Sequence, residues 1–226
     1  MCGRFSLTCS GTAIAQTFNL SSIPEFIPQY NIAPAQKIST IRYNLEQQEQ
    51  QFQPMRWGLI PHWSKDEKIG YKLINARVET VTEKPAFRQA IRSQRCLILA
   101  DGFYEWQHQG KIKQPYYFQL KDHQLFGFAG LWERWKHPNG EDIFSCTILT
   151  QAASEIVRPV HERMPIILST SVYSQWLDPT LKDSETILSL VEQNPDLIVY
   201  PVSANVNRTN YNQPDCIQPI LEVELR

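Results

Sequence analysis

The chain opens Met1-Cys2-Gly3, and Cys2 is the residue whose type and place offer chemistry first. An aminopeptidase normally removes an initiator methionine that precedes a residue this small, which leaves a free α-amine beside a thiol. The two groups have reference pKa values of about 7.7–8.0 and about 8.5, so near neutrality each supplies a usable fraction of its nucleophilic form. Both can attack one carbon. An aldehyde condenses with the amine to an imine, and the thiolate then closes a five-membered thiazolidine as an intramolecular step. The internal cysteines, Cys9, Cys96, Cys146 and Cys216, have no α-amine and cannot do this. A cysteine without a role on a frayed terminus is the competing reading, so the case rests on partners elsewhere in the chain.

Polar and aromatic residues recur in five short apolar contexts: YNIAP at 30–34, MRWGLIPHW at 55–63, NARVET at 75–80, ADGFYEW at 100–106 and HERMP at 161–165. Glu105 follows the apolar run RCLIL and stands between Tyr104 and Trp106, which predicts a carboxyl just past a buried strand. Desolvation there raises its pKa toward neutrality and makes it a proton shuttle for imine formation and thiol addition; a surface glutamate on an exposed strand face is the alternative. His161, bracketed by Pro159 and Pro165, is a candidate acid/base, or a structural hydrogen-bonder. Asn75 has an amide able to orient the terminal amine or a sugar oxygen, or to act as a turn or cap residue. Arg4, Arg77 and Arg163 each lie within two residues of a candidate, and guanidinium forks suit phosphate oxygens. Trp57 and the Ile60-Pro61 pair offer stacking or wedging surfaces for bases, with core packing as the alternative.

These residues must be positioned by secondary structure. Ser10 or Thr12 caps a helix running to about Phe18, after which the proline-bearing SSIPEFIPQYNIAPAQ reads as irregular chain. Apolar or alternating runs predict strands at Ile38–Tyr43, Gln51–Trp57, Arg95–Ala100, Tyr116–Leu120, Leu125–Leu131 and Ile143–Leu149. Asn139-Gly140 and, more weakly, Gln109-Gly110 mark hairpins, and the glutamine-rich LEQQEQQFQ reads as a polar hairpin loop. Helical patterns occupy Pro85–Ser93 behind a Thr82 cap, Val172–Leu177 and Ser184–Glu192. Strands grouped in the middle with helices outside predict an α+β fold: a mainly antiparallel, distorted, barrel-like sheet with peripheral helices. No boundary divides the sequence, so residues 1–226 are read as one domain, with monomer as the default state.

The bulk properties narrow the class. The five cysteines are odd in number and none is spaced Cys-x-x-Cys, which argues against disulfides and structural zinc; the histidines show no metal-ligand spacing, and neither metal nor cofactor is expected. There is no apolar run of the roughly 18 residues that a membrane span needs, and no signal-peptide pattern, so a cytoplasmic protein is expected, nucleoid-associated if bacterial. A net charge of −1 advertises no global attraction to polyanions. It leaves room for a local groove in which a few arginines hold phosphates.

Taken in order, MCGRF, YNIAP, RWGLIP, NARVET, RCL with ADGFYEW, FAGLWE at 128–133, HERMP and the PVS and VN elements near Pro201–Asn207 strongly resemble the SOS response-associated peptidase family (SRAP), whose proteins sense abasic sites in single-stranded DNA. The resemblance covers essentially the whole chain. It implies a distorted barrel with a positively charged groove crossing the active site, and single-stranded DNA bearing an abasic site as the partner. It also implies that Cys2 bonds covalently to the opened sugar, that Asn75 positions the Cys2 amine or that sugar, that Glu105 transfers protons and that His161 assists ring opening or reversal. Arg4 and Arg77 would hold phosphates beside the lesion, and Trp57 and Pro61 would lie where bases are splayed. Lyase activity at the imine stage is a further expectation. Two other readings use the same residues: a thiol peptidase with Cys2 as nucleophile and His161 and Glu105 as base and orienter, and a non-catalytic single-strand-binding module.

Overall fold

The computed structural model describes residues 2–21, 26–110, 112–191 and 195–220. In chain order the strands are β1 (Phe5–Leu7), β2 (Gln29–Ile32), β3 (Lys37–Ile38), β4 (Thr40–Asn44), β5 (Glu49–Phe52), β6 (Met55–Trp57), β7 (Asn75–Arg77), β8 (Arg95–Ala100), β9 (Gly102–Gln109), β10 (Ile112–Leu120), β11 (Phe126–Lys136), β12 (Asp142–Ala152), β13 (Arg163–Pro165), β14 (Ile167–Leu168) and β15 (Leu197–Pro201). One sheet is antiparallel throughout, in the order β15-β10-β9-β1-β2. The larger sheet follows the path β3-β6-β12-β11-β8-β4-β5, with β7 and β13 added on β12 and β14 on β11. Only β6 and β7 run parallel to their partner β12 among the described pairings. The result is a mixed α+β fold with a curled, half-barrel-like sheet and few helices, as the grouped strands predict.

Local chemistry explains most elements. Helix α1 (Gly11–Phe18) starts where Ser10 accepts the Ala13 N–H, and it buries Ile14 and Phe18. The Asn139-Gly140 turn joins β11 to β12, with Gly140 at φ +94°, and the β9–β10 hairpin turns at Gly110, φ +62°, just past Gln109, which pairs with Ile112. In LEQQEQQFQ the turn is confined to residues 45–48, and Glu49–Phe52 pairs with β4. Strand β8 is buried along its whole length, as a short continuous apolar run implies.

Five expectations change. The Ile38–Tyr43 run is split at Ser39 into β3, which pairs with β6, and β4, which pairs with β5 and β8. The 51–57 run is broken at Pro54, which has no N–H to donate, so β5 and β6 are separate strands with different partners. The segment read as irregular after α1 contains β2, whose polar Gln29 and Asn31 hid its pairing with β1. The helix expected behind Thr82 is a series of turns ending in a single helical turn, α2 (Ala90–Ser93). The later helices, α3 (Tyr173–Leu177) and α4 (Ser184–Ser189), are shorter than their patterns; Glu192, the expected end of the last, lies outside the described residues. Among the described residues no helix is long and apolar enough to cross a membrane.

The core gathers around Phe5, whose ring meets Trp57 at 5.1 Å and Phe128 at 5.7 Å, edge to face. Phe103 stacks on Phe118 at 4.9 Å. Beside them β9 begins at Gly102, where a Cβ would stand 2.1 Å from the buried Tyr117 ring. Gly102→Ala should therefore overpack the β1–β9–β10 contact and destabilise the fold by about 1–3 kcal/mol, read as a fall in the urea midpoint. An unchanged midpoint would mean that Tyr117 moves aside without cost.

Candidate active site

Cys2 enters the site because β1 is an inner strand. Phe5 pairs with Ile32 on one side and Phe103 on the other, and the Tyr104 N–H donates to the Arg4 carbonyl at 3.0 Å. Asp101 fixes the far end of β1. Its carboxylate accepts from the Ser6 hydroxyl at 2.5 Å, the Thr8 N–H at 2.5 Å and the Thr8 hydroxyl at 2.7 Å. With the strand held, Cys2 is fully buried and its Sγ lies 3.7 Å from the Arg4 carbonyl. Burial, and then the nearby charge of Glu105, push the thiol far above its ordinary range.

Two side chains from different sheets act on Cys2, Asn75 by a hydrogen bond and Glu105 by its charge. Asn75 starts β7, which lies parallel on β12 with Asn75 opposite Ile148; its Nδ2 donates to the Cys2 carbonyl at 2.8 Å. The Asn75 Oδ1 is buried with no hydrogen-bond partner among the described residues. Glu105 follows the buried β8, as expected, and itself sits inside β9, opposite Tyr116. It is buried, and desolvation pushes its carboxyl up to about 7. It opens on a cleft of about 370 Å³ that Arg4, Trp106, His108, Lys113, His161 and Asn207 also line.

His161 is half-buried, and burial holds its pKa below the usual histidine value. Its Nδ1 lies 3.0 Å from the Arg163 N–H and 3.2 Å from the Arg163 carbonyl; the shorter contact has the N–H donating, with Nδ1 as acceptor in the neutral ring. That assignment leaves Nε2 as the protonated nitrogen. Strand β13 sets Arg163 opposite Ala152 and β7 sets Arg77 opposite Thr150, at one end of β12. Arg163 is gripped by Glu79 in a two-point fork at 2.5 and 3.0 Å and also donates to the Thr150 carbonyl at 2.7 Å. Hydrogen bonding to Arg163 draws the Glu79 carboxyl below its ordinary range. Arg77 is exposed.

Arg4 is buried rather than displayed. Its Nη1 donates to Asn31 Oδ1 at 2.6 Å and to the Val206 carbonyl at 2.8 Å, and its guanidinium lies 5.9 Å from the centre of the Trp106 ring. Asn31, from YNIAP, ties the 206–211 segment down by donating to the carbonyls of Val206, Arg208 and Tyr211. The expectation for Trp57 and Pro61 is corrected: both are buried. Trp57 packs on Phe5 and donates Nε1 to the Ile74 carbonyl at 2.8 Å, so it offers no face to a base. The RWGL run closes onto β12 through β6, which turns its tryptophan inward.

The sequence signature of the SOS response associated peptidase (SRAP) family matches residues 1–209. The chain belongs to the SRAP family. It is 43% identical to the abasic site processing protein YoqW of Bacillus subtilis over 96% of this chain and 99% of that protein. It is 33% identical to the abasic site processing protein HMCES of Xenopus tropicalis over 87% of this chain and 68% of that protein. A crystal structure of a Bacteroides thetaiotaomicron protein superposes with a TM-score of 0.84 at 28% identity, covering 97% of this chain and all of that one.

In this SRAP chain the fold brings Cys2, Asn75, Glu105, His161 and Arg4 to one region, puts Arg77 and Arg163 at its margin, and leaves Trp57 and Pro61 in the core. Sequence reading missed Glu79 as the partner of Arg163, although it lies within NARVET. It also missed the cleft residues His108 and Lys113, which face each other across the β9–β10 hairpin; a turn centred on Gln109-Gly110 would have set a different register.

The shift at Glu105 has a thermodynamic consequence. Its pKa rises on folding from 4.5 to about 7, so between those values the folded chain holds a proton that the unfolded chain has lost. Stability should fall as pH rises through that window, by on the order of 3 kcal/mol, and level off above it. Chemical denaturation of the Glu105→Gln protein from pH 4 to 8 should lack this slope. An identical slope in the variant would assign it to another group.

Proposed function

We propose that this SRAP protein captures abasic sites in single-stranded DNA by covalent reaction at Cys2. The observation that carries the reading is that Asn75 holds the Cys2 carbonyl at 2.8 Å while a buried carboxyl with a pKa of about 7 acts on the same residue's thiol. Neither arrangement is needed by a structural terminus. After Met1 is removed, the Cys2 amine adds to the aldehyde of the ring-opened deoxyribose and water leaves, forming a C=N bond. The thiol sulfur then adds to that carbon while its proton passes to nitrogen, giving a thiazolidine.

Each neighbour has a task in this sequence. A thiol held protonated by burial needs a base, and a carboxyl that titrates near 7 accepts its proton and returns one at the next step. Asn75 fixes the main chain so that amine and sulfur face one carbon, and its buried Oδ1 can accept from the new amine. His161, neutral with Nε2–H, donates to the sugar oxygen during ring opening and reversal. Arg77 and Arg163 hold flanking phosphates, the latter exchanging its Glu79 partner for DNA, and Arg4 supplies fixed charge to the cleft. If ring closure is slow, the imine loses the 3′ phosphate by β-elimination, which is a lyase reaction. One such site per chain requires no second subunit.

Protein with Met1 shown absent by mass should give a band shift on a denaturing gel with single-stranded DNA bearing one abasic site, and none with intact DNA. Cys2→Ser should abolish the stable adduct. Glu105→Gln should slow its formation by about 10²–10⁴-fold, the usual contribution of a general acid/base. A stable adduct of full yield from Cys2→Ser would overturn the ring closure, and failure of the natural protein to shift lesion-bearing DNA would overturn the reading itself.

A further inference from the structure

A second groove, sharing no lining residue with the Cys2 cleft, lies between the 82–93 segment and the start of α4. Three cations line it, Arg88, Arg92 and Lys182, together with the hydroxyls of Thr82, Ser93 and Ser184 and the amide of Gln89. No carboxylate and no apolar side chain contributes to the lining. The groove is roomy, at about 540 Å³, and its three cations are exposed. None of them has an ion-pair partner among the described residues. The acids nearest in sequence are Glu83, Asp183 and Glu185; Asp183 is engaged as the cap of α4, accepting from the N–H and hydroxyl of Thr186. In a chain of net charge −1, three unpaired cations and four neutral hydrogen-bonding side chains in one groove call for an anionic ligand.

The residue types choose among anions. Arginine, lysine, serine, threonine and glutamine are the side chains that contact phosphate oxygens in DNA complexes. A groove that read bases in a single strand would carry aromatic platforms for stacking, and a protein partner's seat would have an apolar or aromatic centre; this lining has neither. The 82–93 segment that forms one wall follows closely in the chain on Arg77, at the margin of the Cys2 site. We propose that this groove binds the phosphodiester backbone of DNA outside the lesion, without reading its bases. The inference rests on the reading that DNA is this protein's substrate, and adds a second, non-covalent contact with it.

The test uses the full-length protein and a lesion-free duplex of about 20 base pairs, with affinity followed by fluorescence anisotropy across a salt series. The slope of log affinity against log salt should fall by about 0.9 for each phosphate contact removed in a triple variant, Arg88→Glu, Arg92→Glu and Lys182→Glu. Affinity at low salt should fall at least tenfold. Capture of an abasic site in a single strand too short to span both sites should be unchanged in rate, which reports an intact fold and active site. An unaltered slope and affinity would overturn the proposal, as would variant-sensitive binding of poly-glutamate but not of the duplex. Because the duplex carries no lesion, this readout stands even if the Cys2 chemistry fails, so the two readings fail separately.

Discussion

The site depends on holding down the first residues of the chain. Termini fray because few contacts oppose their entropy, yet here the opening strand lies inside a sheet, with partners on both edges. Asp101 is the fastener. One carboxylate takes three hydrogen bonds from Ser6 and Thr8, each of the charge-assisted kind that contributes about 1.5–3 kcal/mol. The Ser6 hydroxyl also lies 2.8 Å from the Tyr117 hydroxyl, which couples the same strand to β10. Because Asp101 leads directly into β9, the residue that anchors the terminus also sets the register of the strand that carries Glu105.

Burial supplies the rest of the electrostatics. The same low-dielectric surroundings keep the Cys2 thiol protonated, raise Glu105 into the neutral range and keep His161 uncharged. Burial thus moves three groups away from the pKa values they would have in water. Arg4 brings a positive charge to the cleft wall. Its hydrogen bonds to Asn31 and Val206 fix its direction, and Asn31 in turn is tied to the 206–211 segment. Residues far apart in the chain thus share a single network.

Much of this was legible in the sequence, and the failures have physical causes. The apolar runs at 95–100, 125–131 and 143–149 are strands because periodicity reports burial, and their burial is real. Strand β2 was missed because its side chains are partly polar while its main chain does the pairing, and composition does not report main-chain hydrogen bonds. Glu105 was legible as a desolvated carboxyl between aromatics. Core packing was one of two readings the sequence left open for Trp57, because a tryptophan beside a strand looks alike whether it faces in or out; the closure of β6 onto β12 decides it. The Glu79 fork on Arg163 joins residues 84 positions apart, a relation that local pattern cannot supply.

The depth at which Cys2 sits bears on the protein's durability between encounters. Peroxide oxidises thiolates that it can reach, through sulfenic toward irreversible sulfinic and sulfonic acids. A sulfur with no solvent exposure and a strongly raised pKa is a poor target on both counts. The packing that positions this thiol also lowers its exposure to oxidants.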